Sequence, residues 1–143
     1  MSKSNTFEND LLKLIFNGTP IANLADNAAG SPLTNLFVSL HTADPGDAGN
    51  QTTSETAYGS YARVAVPRTS GGWTVATAGA VSPVGNIDFP ACTTGTATIT
   101  HAAIGTAVSG TGKILYSGAV TPSIAVSAGV TPRVGLASVV TED

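Results

Sequence analysis

The chain has 143 residues, a formal net charge of −3 and a sequence pI near 5.1, and only 10% of its residues are charged, against about 25% in an ordinary soluble domain. Twenty threonines and sixteen glycines fill the room, and the six Lys and Arg residues lie scattered, so no basic stripe is expected to neutralise the phosphates of a nucleic acid. The length fits one domain with one core, and the single cysteine, Cys92, excludes an intramolecular disulfide and a thiolate metal cluster.

The first predicted element is a helix. Phe7, Leu11, Leu14 and Ile15 recur at i, i+4, i+7 and i+8 and form one apolar stripe. Asn5 with Glu8 resembles a capping box, and Asn17-Gly18 suits the left-handed conformation that ends a helix. Glu8, Asp10 and Lys13 interrupt any signal-peptide core, so no export signal is expected, and synthesis in the cytoplasm agrees with the cysteine count. "TPIANLADNAAGSP" follows, with turn-forming composition and no period, and reads as a linker.

From residue 34 the period becomes two. In "TNLFVSLH", Leu36, Val38 and Leu40 share the core side, with Phe37, Ser39 and His41 opposite. Further strands are predicted at 61–66, 73–76, 86–89, 96–104, 113–120, 123–128 and 134–140, separated by Gly, Pro, Ser and Asp. No segment after the first helix can carry a parallel crossover. The fold expected is therefore mainly β, an antiparallel β-sandwich or jelly-roll-like barrel with one N-terminal amphipathic helix. Its parts are a helix over 1–18, a linker over 19–33 and a β-sandwich over 34–143, in a single domain overall. Pro122, Gly129, Pro132 and Gly135 break the apolar C-terminal third, so no membrane span is expected.

The stretch "LFVSLHTADPGDAGN" places His41 near Asp44 and Asp47, residue types used in acid/base chemistry and metal binding. Asp44-Pro45-Gly46 is also complete turn chemistry, and the turn explains the residues more fully. Calcium held by Asp44, Asp47 and Glu55 is the functional alternative, although the D-x-[DN]-x-[DN]-G pattern is absent. No cofactor and no catalytic residue is expected. His101 reads as a strand histidine bonded to nearby hydroxyls or backbone, and Cys92 as a small, partly buried residue in a turn. "SGTGK" at 109–113 resembles the end of a P-loop, yet Ala107 and Ile114 occupy the diagnostic positions, so a glycine-rich hairpin turn is predicted.

Residues 42–60 form a connection well beyond the usual ~4–6 residues, and loops of that length commonly carry function. A contact arm toward a neighbouring subunit is the expectation. Tyr58, Tyr61 and Trp73 around it are read chiefly as core, with a protein interface or a sugar platform as alternatives. Arg63, alternating with Val64 and Val66, is expected to face outward with its fork toward an intersubunit carboxylate. The interface candidates are Phe7, Leu11, Leu14, Ile15, Asp47, Glu55, Tyr58, Tyr61 and Arg63.

"NDLLKLIFNGTP", "LFVSLHTADPGDAG", "SETAYGSYARVAV", "NIDFP", "TITHAAIGTAVSGTGKILYSGAVTPSIAVSAGVTPRVGL" and "VVTED" occur in that order. Together they resemble the small virion proteins of tailed bacteriophages often labelled phage tail fibre proteins, over nearly the whole chain. The resemblance implies a non-enzymatic, β-rich structural subunit that assembles on the particle. Its expected partners are other phage structural proteins, tail or capsid subunits, and further copies of itself. Tail or fibre association ranks ahead of capsid decoration. A host-glycan-binding sandwich is the rival from another class, requiring an exposed Trp73, and a hydrolase using His41 and Asp44 ranks third.

Overall fold

The computed structural model describes residues 4–21, 32–76 and 79–141. Most of the linker expected over 19–33 lies outside the described residues, as do the last two residues of "VVTED". Among the described residues the architecture is one helix followed by nine antiparallel strands in open sheets, none closed into a barrel. No helix among the described residues is long and apolar enough to cross a membrane.

Helix α1 (Asn5–Asn17) begins where Ser4, extended at φ −79° and ψ 149°, accepts the Phe7 N–H on its hydroxyl. Ser4 is therefore the cap, not Asn5, which already lies within the helix. Gly18, at φ 64°, ends it as predicted and donates its N–H to the Lys13 carbonyl. The inward row is Glu8, Leu12 and Phe16, whereas Leu11, Leu14 and Ile15 are half-buried and Phe7 is exposed. The buried face thus sits one position on from the Phe7–Leu11 row, with Leu12 and Phe16 at its centre and Glu8 only 9% exposed.

The chain divides into two compact units. The first joins residues up to 35 with 67–86 and 134 onward. In it α1 packs on the antiparallel hairpin β3 (Trp73–Ala76) and β4 (Ala80–Pro83), and β9 (Val140–Thr141) adds to β4 through Val81 opposite Val140. Strand β4 has no sequence signature, since "AVSP" is short and ends in proline. Phe16 meets Trp73 edge to face at 4.8 Å between ring centroids. Arg68 donates to the Leu14, Ile15 and Leu33 carbonyls, capping the free C-terminal end of α1.

The second unit, 36–66 with 87–133, holds the larger sheet. Its order runs from β2 (Val64–Pro67) through β1 (Asn35–His41) and β6 (Ala97–Gly105) to β7 (Ile114–Val126). A two-stranded ladder pairs β5 (Ile87–Asp88) with β8 (Arg133–Val134). The runs predicted at 113–120 and 123–128 are one strand, β7, whose register against β6 breaks between Ile99 and His101. The run predicted at 134–140 yields only its ends, β8 and β9, because the chain turns at 136–137. Leu36, Val38 and Leu40 are buried as expected, and so are Ser39 and His41 opposite them. Strand β1 is interior to its sheet, and its residues are buried on both faces from Val38 onward.

A buried polar network under the 42–60 loop

The long connection does not extend away from its unit. Asp44 Oδ1 accepts the Gly46 N–H at 2.9 Å, closing the Asp-Pro-Gly turn as predicted. The chain then returns beside β1: Thr42 N–H donates to Ser54 C=O, Thr56 N–H donates to Leu40 C=O, and His41 bridges to Glu55. This return turns the side chains of Gln51, Thr56, Tyr58 and Arg63 inward.

Gln51 is wholly buried. Its Nε2 donates to Phe37 C=O at 3.2 Å, its Oε1 accepts the Ala107 N–H at 3.0 Å, and its backbone N–H reaches Gly112 C=O at 2.9 Å. A Cβ at Gly105 would lie 2.2 Å from Gln51 Cδ, and one at Gly112 would lie 2.2 Å from Gln51 Oε1. A side chain bonded at both ends cannot retreat, so both positions require glycine. "SGTGK" is therefore the hairpin turn between β6 and β7, with Gly110 at φ 73° and Gly112 shaped to the amide of Gln51 rather than to a phosphate.

Arg63 is 8% exposed, so its outward orientation is corrected. Its Nε and Nη2 grip the two Glu55 oxygens at 2.7 Å each, Nη1 donates to Ala107 C=O, and Nη2 also donates to Gly110 C=O. The fork expected to seek an intersubunit carboxylate holds one from its own chain. Tyr61 donates its hydroxyl to Glu55 Oε1 at 2.9 Å and accepts the Leu40 N–H at 3.0 Å. The Glu55 hydrogen bonds raise the Arg63 pKa, and burial raises that of Tyr61, so this cluster stays a neutral phenol beside a closed ion pair.

His41 Nδ1 lies 2.8 Å from Thr53 C=O, which can only accept, so the proton sits on Nδ1 and the Ser39 hydroxyl donates to Nε2 at 2.9 Å. Desolvation lowers the His41 pKa; the Thr53 hydrogen bond and Glu55 oppose that shift, while Arg63 and His101 add to it. Ser39 and His41 have the spacing of a nucleophile and its base, yet both are 0% exposed. Neither presents an atom to a substrate.

The remaining predicted residues separate. Asp44 and Asp47 are exposed, Glu55 is held by Arg63, and among the described residues no three His, Cys, Asp or Glu side chains converge on a metal position. Tyr58 is buried, meets Tyr61 at 5.3 Å between ring centroids and donates to Pro90 C=O. His101 lies opposite His41 in the β1–β6 register, with Nδ1 3.0 Å from the Thr100 hydroxyl. Cys92 is buried with Sγ toward Thr94 C=O, and Trp73 is 2% exposed. Sequence reasoning missed Gln51, which sits in a polar run with nothing to mark it, and put Ser39 on the uncovered side of β1, although Gly105 and Gly112 hinted at a close approach.

These features define a β-rich module in which Ser39, His41, Gln51, Glu55 and Arg63 are bonded within their own unit. The chain belongs to the family described as Podophage GP4 fiber I protein gp80, whose model matches residues 2–141. It is thus a phage fibre-type structural protein, in agreement with the resemblance carried by its sequence motifs. A comparison with curated proteins finds no match.

Proposed function

We propose that the chain is a non-enzymatic accessory subunit of the virion, made in the host bacterial cytoplasm and seated on the tail or its fibres in contact with other particle proteins and with further copies of itself. The observation that carries this reading is the inward orientation of Glu55, Arg63, Ser39, His41 and Gln51, each bonded to its own unit. Such a network gives a loop one shape, which is what a repeated assembly contact requires.

Within this reading Phe7 and Asp47, both exposed, touch neighbours directly. Glu55, Tyr58, Tyr61 and Arg63 set the loop surface from beneath, and Leu11, Leu14 and Ile15 contribute their half-exposed edges. Helix α1 already packs on β3 and β4, so it presents a back rather than a free apolar stripe. The glycan-binding alternative rested on an exposed Trp73, and a ring 2% exposed against Phe16 offers no stacking face.

Immunogold labelling of intact particles, with particles lacking the protein as control, tests the proposal. Label on the tail or fibres is the expected result. Label over the capsid surface would replace it with the capsid-decoration reading, and unlabelled particles would overturn the virion role.

A further inference from the structure

Strand β1 places Ser39 and His41 two positions apart on one face, and both are 0% exposed. The imidazole has one bond at each nitrogen: Nδ1 to Thr53 C=O at 2.8 Å and Nε2 to the Ser39 hydroxyl at 2.9 Å. A proton added to a ring buried this completely needs an acceptor from the protein itself. Of the two bonded groups, Thr53 C=O already holds the Nδ1 proton, which leaves Ser39 to receive a second one.

The Ser39 hydroxyl has one proton and two acceptors in reach. Ala103, opposite Ser39 in the β1–β6 register, brings its carbonyl to 3.4 Å from Oγ. With the ring neutral, the proton takes the shorter contact, to Nε2. With the ring protonated, Nε2 becomes a donor, and the same oxygen accepts from it once its own proton turns to Ala103 C=O. The charged and titratable side chains around the ring are Glu55 and Arg63, from the segment returning beside β1, and His101 on β6. None of them bonds to it: Glu55 is closed on Arg63 and Tyr61, and His101 has Nδ1 against the Thr100 hydroxyl. Glu55 favours the charged ring, while Arg63 and His101 oppose it.

We infer that Ser39 is a reversible relay, donating to neutral His41 and, on acidification, turning to Ala103 C=O to accept from the imidazolium, so that Thr53 and its loop stay bonded to β1 in both states. The switch is a hydroxyl rotation between atoms already in place. It needs no backbone movement and leaves the Nδ1–H bond to Thr53 as it was. The 42–60 loop therefore keeps one surface on both sides of the His41 titration. This property belongs to the isolated chain and holds wherever on a particle the chain sits.

NMR of the full chain with isotope-labelled histidine, titrated from neutral pH into acid, tests this. In the wild type, His41 should be the Nδ1–H tautomer at neutral pH and should take up its second proton while the chain is folded. Across that titration the Thr42 and Thr56 amides, bonded to the Ser54 and Leu40 carbonyls, should keep their protection from hydrogen exchange. Ser39→Ala removes only the hydroxyl. It should lower the proton affinity of folded His41 about tenfold, because a charge-assisted bond is lost from the imidazolium and only a neutral one from the imidazole. The tautomer, set by Thr53, should not change, and a packing role for Ser39 would not move the affinity. An affinity in Ser39→Ala equal to or above that of the wild type overturns the relay. Two wild-type results, which need no variant to fold, also overturn it: a ring that stays neutral until the chain unfolds, or protection at Thr42 and Thr56 lost in step with the titration.

Discussion

In the helix-bearing unit, Leu12, Phe16, Trp73 and Val81 are buried apolar side chains, and Phe16 and Trp73 interlock edge to face. In the sheet-bearing unit, Leu36, Val38, Leu40 and Ile99 share the interior with Ser39, His41, Gln51 and Arg63. Apolar burial is non-directional and tolerates repacking, while a buried polar network has one satisfied arrangement and leaves donors unpaired in any other. The contrast follows the chain path: the first unit has a helix to cover its sheet, whereas the second must fix a long loop that lacks secondary structure of its own.

The largest effects break each unit by its own means. Phe16→Ala should destabilise by about 3–5 kcal/mol through the cavity it leaves. Glu55→Ala should cost about as much, 3–5 kcal/mol, by stranding the buried Arg63 charge. The two separate on rescue: Glu55→Leu/Arg63→Met should recover most of the Glu55→Ala loss, because removing both charges removes the uncompensated one. Urea unfolding reads all of these, and a Glu55→Ala loss within the range of ~0–1 kcal/mol seen for surface pairs would show that the network is not holding the loop.

Gly112→Ala comes next. Its Cβ would lie 2.2 Å from Gln51 Oε1, an overpacking expected to cost about 1–3 kcal/mol. Adding Gln51→Ala should bring no further loss of the same size, since the clash and the bonds it disrupts disappear together. Additive losses in urea unfolding would separate the glycine from the amide.

The same contrast decides what the sequence discloses. Apolar periodicity reports faces, so the alternation in β1, the existence of α1 and the antiparallel class are legible before any coordinates. Turn chemistry is local as well, and Asp44-Pro45-Gly46 and "SGTGK" behave as their residues say. The partners of Arg63 are not legible. An arginine alternating with valines reads as outward because the pattern assumes one covered face, yet the chain at Glu55, eight positions earlier, returns over that side. Gln51 is hidden for the same reason: its acceptor and donor, Phe37 and Ala107, are distant in sequence, and only the folded sheet brings them together.

His41 gives the sheet-bearing unit a pH dependence. Burial holds its folded pKa below the ordinary 6.5, so the unfolded chain takes up a proton first as pH falls. The contribution is complete above pH 6.5, diminishes below it by at most about 1.4 kcal/mol per unit, and stops falling once the folded histidine also protonates. Stability measured by urea unfolding between about pH 5 and 6.5 should therefore slope in the wild type, and His41→Gln should flatten it. An unchanged slope in that variant would assign the dependence elsewhere.

The smallest effect is the sharpest control, because the sheet-bearing unit contains the same chemistry twice. Arg133 grips both Asp88 oxygens across the β5–β8 ladder as Arg63 grips Glu55, and hydrogen bonding lowers the Asp88 pKa and raises that of Arg133. Their side chains, however, are 57% and 46% exposed, against 3% and 15% for Arg63 and Glu55. Water solvates either Asp88 or Arg133 when the other is removed, and salt screens what attraction remains. Asp88→Asn should thus leave the urea midpoint within experimental error at physiological salt, while the Glu55→Ala loss should persist in high salt. Comparable losses from the two substitutions would mean that pairing geometry, rather than burial, determines what an ion pair contributes in this chain.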